Sequence, residues 1–474
     1  MATLARRYPK LPSSALHTIS ALDTTIAHLL VRRDEILAQH GSLPQRMTTL
    51  HPELLSEIFQ HFVDYACLGS FSGPLILTSV CRHWREIALA TPRLWRTVKI
   101  NSLARWNAFP RLVELFLQRA GSVPIDVYRL PPSHIRHFVP HHAHRLGHLE
   151  LSHGVPALFH GLNAIDSFPV LESVRIVMLL REVAQPIPVI TFLRQAPRLT
   201  EVAVDLWSLH SSDYDLAQIL ALPAHQLRSL HVYSLFREGC FTTLSQARSL
   251  VYLTLDIAYE DTDVNDAYIV FPNLRILHVH PPAVLRILET PSLESLDLMQ
   301  TTRAGLGGGS YTQSEVPIVT DFVSRSGCSI TELHFVPNAI TACHILMELA
   351  FLKKLHIECS TWRAADTHRF FSSLALPSGD IVPHLESLSM VISAAEPVSV
   401  VNLARMIRAR RRQVGRLGQL SKCEVRSPST APFFDDNQSL GWLKEMREEG
   451  LEFSCDVPLY GKNLDRYMVE KMIN

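Results

Sequence analysis

The chain has 474 residues, of which 47% are hydrophobic. This excludes a mostly disordered polypeptide and suggests more than one folding unit. Lys plus Arg and Asp plus Glu both number 45, so the basic excess of a nucleic-acid binder is missing. Eight scattered cysteines without a CxxC pair, no long apolar run and a basic N-terminus without an apolar segment behind it complete the picture. They argue against a disulfide framework, a membrane span and a secretory signal. The expectation is a reduced protein of the cytosol or nucleus whose partners are proteins, with neither nucleic acid nor membrane among them.

Residues 1–46 contain one ordered signal. Ile19, Leu22, Ile26, Leu29, Arg33 and Ile36 follow alternating steps of three and four, the spacing of a heptad stripe. A helix this short is marginal alone, so it is expected to pack on something or to pair weakly. Gly41 to Gln45 ends it.

From 47 to 100 the pattern predicts a small all-α module. Pro52 and Glu53 suit a first helical turn, and Leu54, Leu55, Ile58, Phe59 and Phe62 follow as one apolar face. Gly69 to Pro74 break that helix. A second carries Leu75, Leu77 and Val80, and a third carries Trp84, Ile87 and Ala88 before Thr91-Pro92 closes it. A unit so small and so rich in large apolar residues implies that another chain covers part of its surface.

Residues 101–474 carry a repeat of three apolar positions spaced LxxLxL. The copies are Leu146/Leu149/Leu151, Leu171/Val174/Ile176, Leu199/Val202/Val204, Leu227/Leu230/Val232, Leu250/Leu253/Leu255 and Leu274/Leu277/Val279. They continue as Leu293/Leu296/Leu298, Ile330/Leu333/Phe335, Leu352/Leu355/Ile357, Leu385/Leu388/Met390 and a weaker Leu420/Cys423/Val425. The last two positions share one side of a strand, and helical patterns such as Val189–Ala196 and Val319–Ser326 lie between copies. The reading is an α/β chain: a small all-α module, then an irregular strand–helix solenoid of the leucine-rich-repeat kind. Two long gaps hold insertions, the glycine-rich Gly305–Ser310 and a helix within 361–380. Pro282 and Ser360 stand where regular repeats place a ladder-forming Asn or Cys, so no such ladder is expected. A helix over Trp442 to Glu449 is expected to cap the stack.

The segments Leu50–Phe59, Leu77–Ala88 and Thr91–Trp95 together resemble an F-box. With Leu112–Val127 and Ser324–Leu333 added, nearly the whole chain is similar to the F-box-like proteins of mushroom-forming fungi, in which a heptad helix precedes the F-box and degenerate leucine-rich repeats follow. The resemblance implies a substrate-recognition adaptor of an SCF-type cullin–RING ubiquitin ligase. Its helices would dock on a Skp-type adaptor, which joins them to a cullin scaffold. The residues carried over are Leu50, Pro52, Glu53, Leu54, Leu55, Ile58, Phe59, Val80, Cys81 and Trp84. One departure stands out: His51 replaces the proline that commonly follows the first leucine. It keeps open an alternative, a repeat-based interaction scaffold acting outside ubiquitination.

The residue between the second and third apolar positions should face outward on the concave sheet. In order these are Glu150, Arg175, Ala203, His231, Thr254, His278, Asp297, His334, His356 and Ser389. Tyr233, Asp256, His280 and Glu358 lie two positions on and share that face. The expected client-protein surface is His231, Tyr233, Thr254, Asp256, His278, Asp297, His334, His356 and Glu358, with the Gly305–Ser310 loop beside it. The four histidines of the central row are read as polar surface rather than metal ligands, and His137, His141, His142, His144 and His148 as a polar connection. The run Arg405, Arg408, Arg410, Arg411 and Arg412 reads as a solvated helix end. Gly305–Ser310 lacks the Lys-Ser/Thr of a phosphate loop, and no GxSxG, HExxH or kinase motif set is present. No catalysis, cofactor or metal is expected.

Overall fold

The computed structural model of the chain describes residues 50–66, 72–99, 109–130, 132–152, 156–180, 189–208, 220–234, 244–257, 268–298, 316–359, 362–375, 381–392, 400–412, 420–426 and 437–456. The heptad segment 19–36 and the loop 305–310 lie outside them. The chain divides into two compact units, Met1–Val123 and Pro124–Asn474.

The first unit contains helices α1 (Pro52–Ala66), α2 (Ser72–Val80) and α3 (Arg82–Ala90), a 3-10 turn at Pro92–Trp95, strand β1 (Thr97–Lys99) and helix α4 (Phe109–Ala120). Leu55, Phe59 and Val63 recur at four-residue steps along α1 and are fully buried. The Phe59 ring meets Trp84 of α3 at 4.8 Å. Trp95 is the centre of a second cluster: its indole N–H donates to Ala88 O at 2.8 Å, and its ring meets Phe116 edge-on at 5.1 Å. The guanidinium of Arg119 lies 4.3 Å from the same ring. Helix α4 supplies Phe116 and Arg119 to this cluster, and the compact unit runs to Val123. Gly73 lets α2 approach α1 closely, since a Cβ there would stand 3.3 Å from Val63 Cγ2.

The second unit alternates strands with helices or turns. Its main strands are β2 (Ile125–Leu130), β3 (Leu146–Ser152), β4 (Ser173–Leu180), β5 (Glu201–Ser208), β6 (Ser229–Ser234), β7 (Tyr252–Ile257), β9 (Ile276–His280), β11 (Ser295–Asp297), β12 (Glu332–Phe335), β13 (Lys354–Cys359), β14 (Ser387–Ile392), β15 (Lys422–Arg426) and β16 (Glu452–Asp456). They lie side by side in chain order, every pair parallel, in an open sheet. Between β7 and β11 the short strands β8 (Ile269–Val270) and β10 (Leu288–Glu289) form a separate parallel pair. The connections include α5 (Pro132–His142), α6 (Pro156–Asn163), α7 (Val316–Ser326), α8 (Ala339–Met347), α9 (Ala364–Ala375), α10 (Val400–Arg412) and α11 (Asn437–Glu448).

The last two positions of each of the eleven apolar triplets lie on one strand of this sheet, Leu298 just past the end of β11. The first position, except Leu146, lies in the turn that enters the strand, and all their side chains are buried. The pairing is in register from copy to copy: Leu230 faces Leu253, which faces Leu277, which faces Leu296, then Leu333 and Leu355. Parallel strands need crossover connections, and burying one apolar row per copy against the next gives each repeat a core that it could not form alone.

Several expectations are corrected. Val189–Ala196 is not a helix; only a 3-10 turn, Phe192–Gln195, forms there. Asn163 of α6 holds that turn open: its amide donates to Val189 O at 2.7 Å, and its carbonyl oxygen accepts from Thr191 N and Phe192 N at 2.9 and 3.0 Å. The helix near the C-terminus does not close the stack, because β16 follows it. Gly450, at φ +91°, makes that turn, with Leu451 N bonding Met446 O at 2.9 Å. Side-chain bonds between repeats also occur, one residue before the triplet rather than after it. Ser249 Oγ, Asn273 Nδ2 and Ser292 Oγ each donate to a backbone carbonyl of the preceding copy, those of His225, Arg248 and Pro272.

The basic run on α10 is also not a solvated end. Arg410 is buried, and its guanidinium donates to Leu374 O, Val382 O and Ile381 O at 3.0, 2.7 and 2.6 Å. Arg411 donates to Leu420 O and Glu449 O. Arg408 lies over the Trp442 ring at 4.7 Å. A fork of five N–H donors suits these inter-repeat carbonyls better than an ammonium would.

Candidate protein-interaction surfaces

Two surfaces matter, one on each unit. On the first, α1 carries two apolar stripes instead of the single face expected from its sequence. Leu55 and Phe59 point into the core, so they cannot present a docking surface while the unit is folded. Leu54, Ile58 and Phe62 lie one residue back on a neighbouring stripe and are 57%, 43% and 37% exposed. Ile76 and Val80 of α2 and Leu89 of α3 are exposed as well. These six are half of the exposed large hydrophobic residues among the described residues, within about forty positions. Scattered apolar side chains are normal on a surface, but this concentration on one small unit is not.

The remaining predicted residues of this surface have distinct local roles. Cys81 is the N-cap of α3, its sulfur accepting from Trp84 N at 3.4 Å. Trp84 is half-buried against Phe59. Leu50 is half-buried, and Pro52 and Glu53 are exposed in the first turn of α1. His51 leaves that start intact: its carbonyl accepts from Leu55 N at 3.1 Å, and its Nδ1 contacts the Glu53 carboxylate. The Glu53 carboxyl lies below its usual range, first through its own backbone N–H and then through His51.

On the second unit, the predicted outward row is continuous. Glu150, Arg175, Ala203, His231, Thr254, His278, Asp297, His334, His356 and Ser389 are direct neighbours from strand to strand. Asp205, Tyr233, Asp256 and His280 form a second row, and Glu358 occupies the same level on β13. Thr254 and Asp205 are buried and the others half-buried, with His231 Nδ1 meeting the Thr254 hydroxyl at 3.1 Å.

The row that sequence reasoning missed lies two positions before: His148, Ser173, Glu201, Ser229, Tyr252, Ile276, Ser295, Glu332 and Lys354. Tyr252 sits between His231 and His278, with ring separations of 4.8 and 5.1 Å. His148, read from sequence as part of a polar connection, belongs to this face and stacks on Tyr128 at 4.5 Å. Strand alternation alone would have identified this row, had it been applied backwards from each triplet as well as forwards.

The face is knitted by imidazole–carboxylate contacts. His278 Nδ1 lies 3.2 Å from Asp297 Oδ2, and its Nε2 lies 3.2 Å from Tyr252 Oη. A carboxylate can only accept, so Nδ1 carries the proton and Nε2 accepts from the phenol. His334 contacts Asp297 at 3.7 Å and Glu332 at 3.2 Å, and its ring meets that of His356 at 5.1 Å in a tilted arrangement. His280 lies 3.5 Å from Asp256, and Arg175 pairs with Asp205 at 2.6 Å. Burial lowers His148 and His231 to about 4 and also lowers His278 and His356. Among the described residues, no group of three His, Cys, Asp or Glu is placed to hold a metal ion. No described helix is long and apolar enough to cross a membrane.

Compared with known proteins, the chain matches no protein-family model and no curated protein.

Proposed function

We propose that the protein is a substrate-recognition adaptor of an SCF-type ubiquitin ligase. The helices of the first unit act as an F-box that docks on a Skp-type adaptor and through it a cullin scaffold. The second unit acts as an irregular leucine-rich-repeat horseshoe whose outward sheet face holds the client protein. The protein supplies no bond-making group; it raises the local concentration of client near the ubiquitin-charged enzyme.

One observation carries this reading. Leu54, Ile58, Phe62, Ile76, Val80 and Leu89 are exposed on a unit that already has its own core of Leu55, Phe59, Val63 and Trp95. The stripe is therefore not spent on folding, and a stable complex would bury it. The order of elements, a helical unit followed by one strand per apolar triplet, agrees with the F-box and repeat resemblance of the sequence.

The test is co-purification of the full chain with a Skp-type adaptor, comparing wild type with Leu54→Glu/Ile58→Glu. Both substituted positions are exposed, so the variant should keep its circular dichroism spectrum. Capture by the wild type alone supports the adaptor reading. Capture by neither would reject it in favour of a scaffold acting outside ubiquitination.

A further inference from the structure

Outside the first unit, six large apolar side chains are exposed among the described residues. Three of them, Ile340, Met347 and Phe351, belong to one repeat. Ile340 and Met347 are seven positions apart on α8, so they share one helix face, and they are 42% and 53% exposed. The same helix buries Ala342, Ile345 and Leu346 on its other side, so the exposed pair is not spent on folding. Phe351, 58% exposed, follows Met347 across a tight turn in which Leu349 N bonds Leu346 O and Leu352 N bonds Leu349 O. It stands one residue before its triplet, where other copies place Ser249, Asn273 and Ser292 to bond the preceding copy. A phenyl ring adds nothing to that ladder and lies in solvent instead.

Cations flank this apolar ridge. Burial pushes the Cys343 thiol of α8 up, while its hydrogen bond with Ser373 and the charge of Arg369 act against the rise. Both of those residues belong to α9, which brings Arg369 close to α8. Helix α10 lies alongside α9, tied to it by the bond from Arg410 to Leu374 O at 3.0 Å. Both helices return between parallel strands and so run the same way. Five residues back along each, Arg405 and Arg369 are about level. Both are exposed, and neither is ion-paired among the described residues. Helices α8, α9 and α10 hold a single carboxylate, Asp366, which accepts from Arg363 N at 3.0 Å. Glu348 lies just past the end of α8.

From this we propose that the helical layer α8–α10 docks an acidic, amphipathic segment of a partner protein. Its apolar side chains would cover Ile340, Met347 and Phe351, and its carboxylates would meet Arg369 and Arg405. Adjacent helices lie about 8–10 Å apart, so α8 to α10 spans about 16–20 Å, the length of a helix of about twelve residues. The apolar ridge supplies the centre of the contact, and guanidinium forks, with no internal ion pair to break, receive carboxylates in two-pronged geometry. The surface belongs to the helices of the second unit, so it rests neither on the ligase reading nor on the outward sheet face.

Fluorescence anisotropy of the full chain with three labelled twelve-residue peptides tests this. The first carries Leu at helical spacing with Glu on the flanks; the second replaces each Glu by Lys, and the third each Leu by Ser. The first is expected to bind and to weaken as salt rises, and the other two not to bind. Arg369→Glu, Arg405→Glu and Met347→Ser, all at exposed positions, should each lower affinity by about tenfold with an unchanged circular dichroism spectrum. Arg228→Glu, an equal change of charge at an exposed position before β6, should leave affinity unaltered. Equal binding of the Glu and Lys peptides, no binding of the first, or an equal loss with Arg228→Glu would overturn the proposal. Sedimentation with phosphatidylserine vesicles that Met347→Ser and Arg405→Glu abolish, without peptide binding, would overturn it in favour of a lipid surface.

Discussion

Arg410 offers a direct test of how neighbouring repeats are held together. Its buried guanidinium donates to three carbonyls, those of Leu374, Ile381 and Val382, at 3.0, 2.6 and 2.7 Å. Val382 is itself buried and sits at φ +43°, a conformation that a β-branched residue adopts only under constraint and at a cost of about 1–3 kcal/mol. Arg410→Met keeps much of the apolar stem but leaves three buried acceptors without this donor, at about 1–3 kcal/mol each. Against that, the substitution removes a buried charge. Burial pulls the Arg410 pKa down to about 10, equivalent to about 3 kcal/mol against the charged form. The acceptors outweigh the charge, and the net expectation is a loss of about 2–4 kcal/mol. Arg410→Lys, which has one nitrogen in place of three, should fall between Met and wild type. Urea unfolding followed by tryptophan fluorescence measures this. A Met variant as stable as wild type, or more so, would refute the view that the fork locks Val382 and joins the two repeats.

Other predictions are equally specific. Leu55→Ala, at a fully buried position, should destabilise the first unit by about 2–5 kcal/mol, whereas Leu54→Ala should stay within about 0.5 kcal/mol, as read by thermal melts. Asn163→Ala should cost about 1–3 kcal/mol, and Asn163→Asp less, because the carboxylate still accepts from Thr191 N and Phe192 N. His148 and His231 titrate near 4 when folded and near the ordinary 6.5 when unfolded. The unfolded chain therefore binds more protons between those values, and stability should fall as pH drops through that window. His231→Gln should flatten the pH dependence of the urea midpoint; an unchanged slope would argue against a buried neutral imidazole.

Much of the second unit was legible because period and burial coincide. Leu253, Leu277 and Leu296 could be assigned to strands from spacing alone, and the register follows once each copy is aligned on its middle residue. The terminal copies were hidden for physical reasons. In β2 an extra residue shifts the register between Val127 and Leu130, with Arg129 at φ +56°, so the triplet spacing is lost. In β16 the first apolar position is Gly450, required by the turn after α11. On α1 the sequence could not separate Leu54 from Leu55. Adjacent apolar residues are about 100° apart on a helix, and which one is buried depends on where α2 and α3 pack. Arg410 was misread because local charge density says nothing of carbonyls brought close by the preceding repeat.

The central claim is that the exposed stripe of the first unit is a docking surface for a Skp-type adaptor. Amide hydrogen exchange of the full chain, with and without a purified Skp-type adaptor in excess, tests it most directly. Added protection confined to residues 52–90, with β3–β15 unchanged, is the expected result. Exchange over 52–90 that does not respond to the adaptor would contradict the claim.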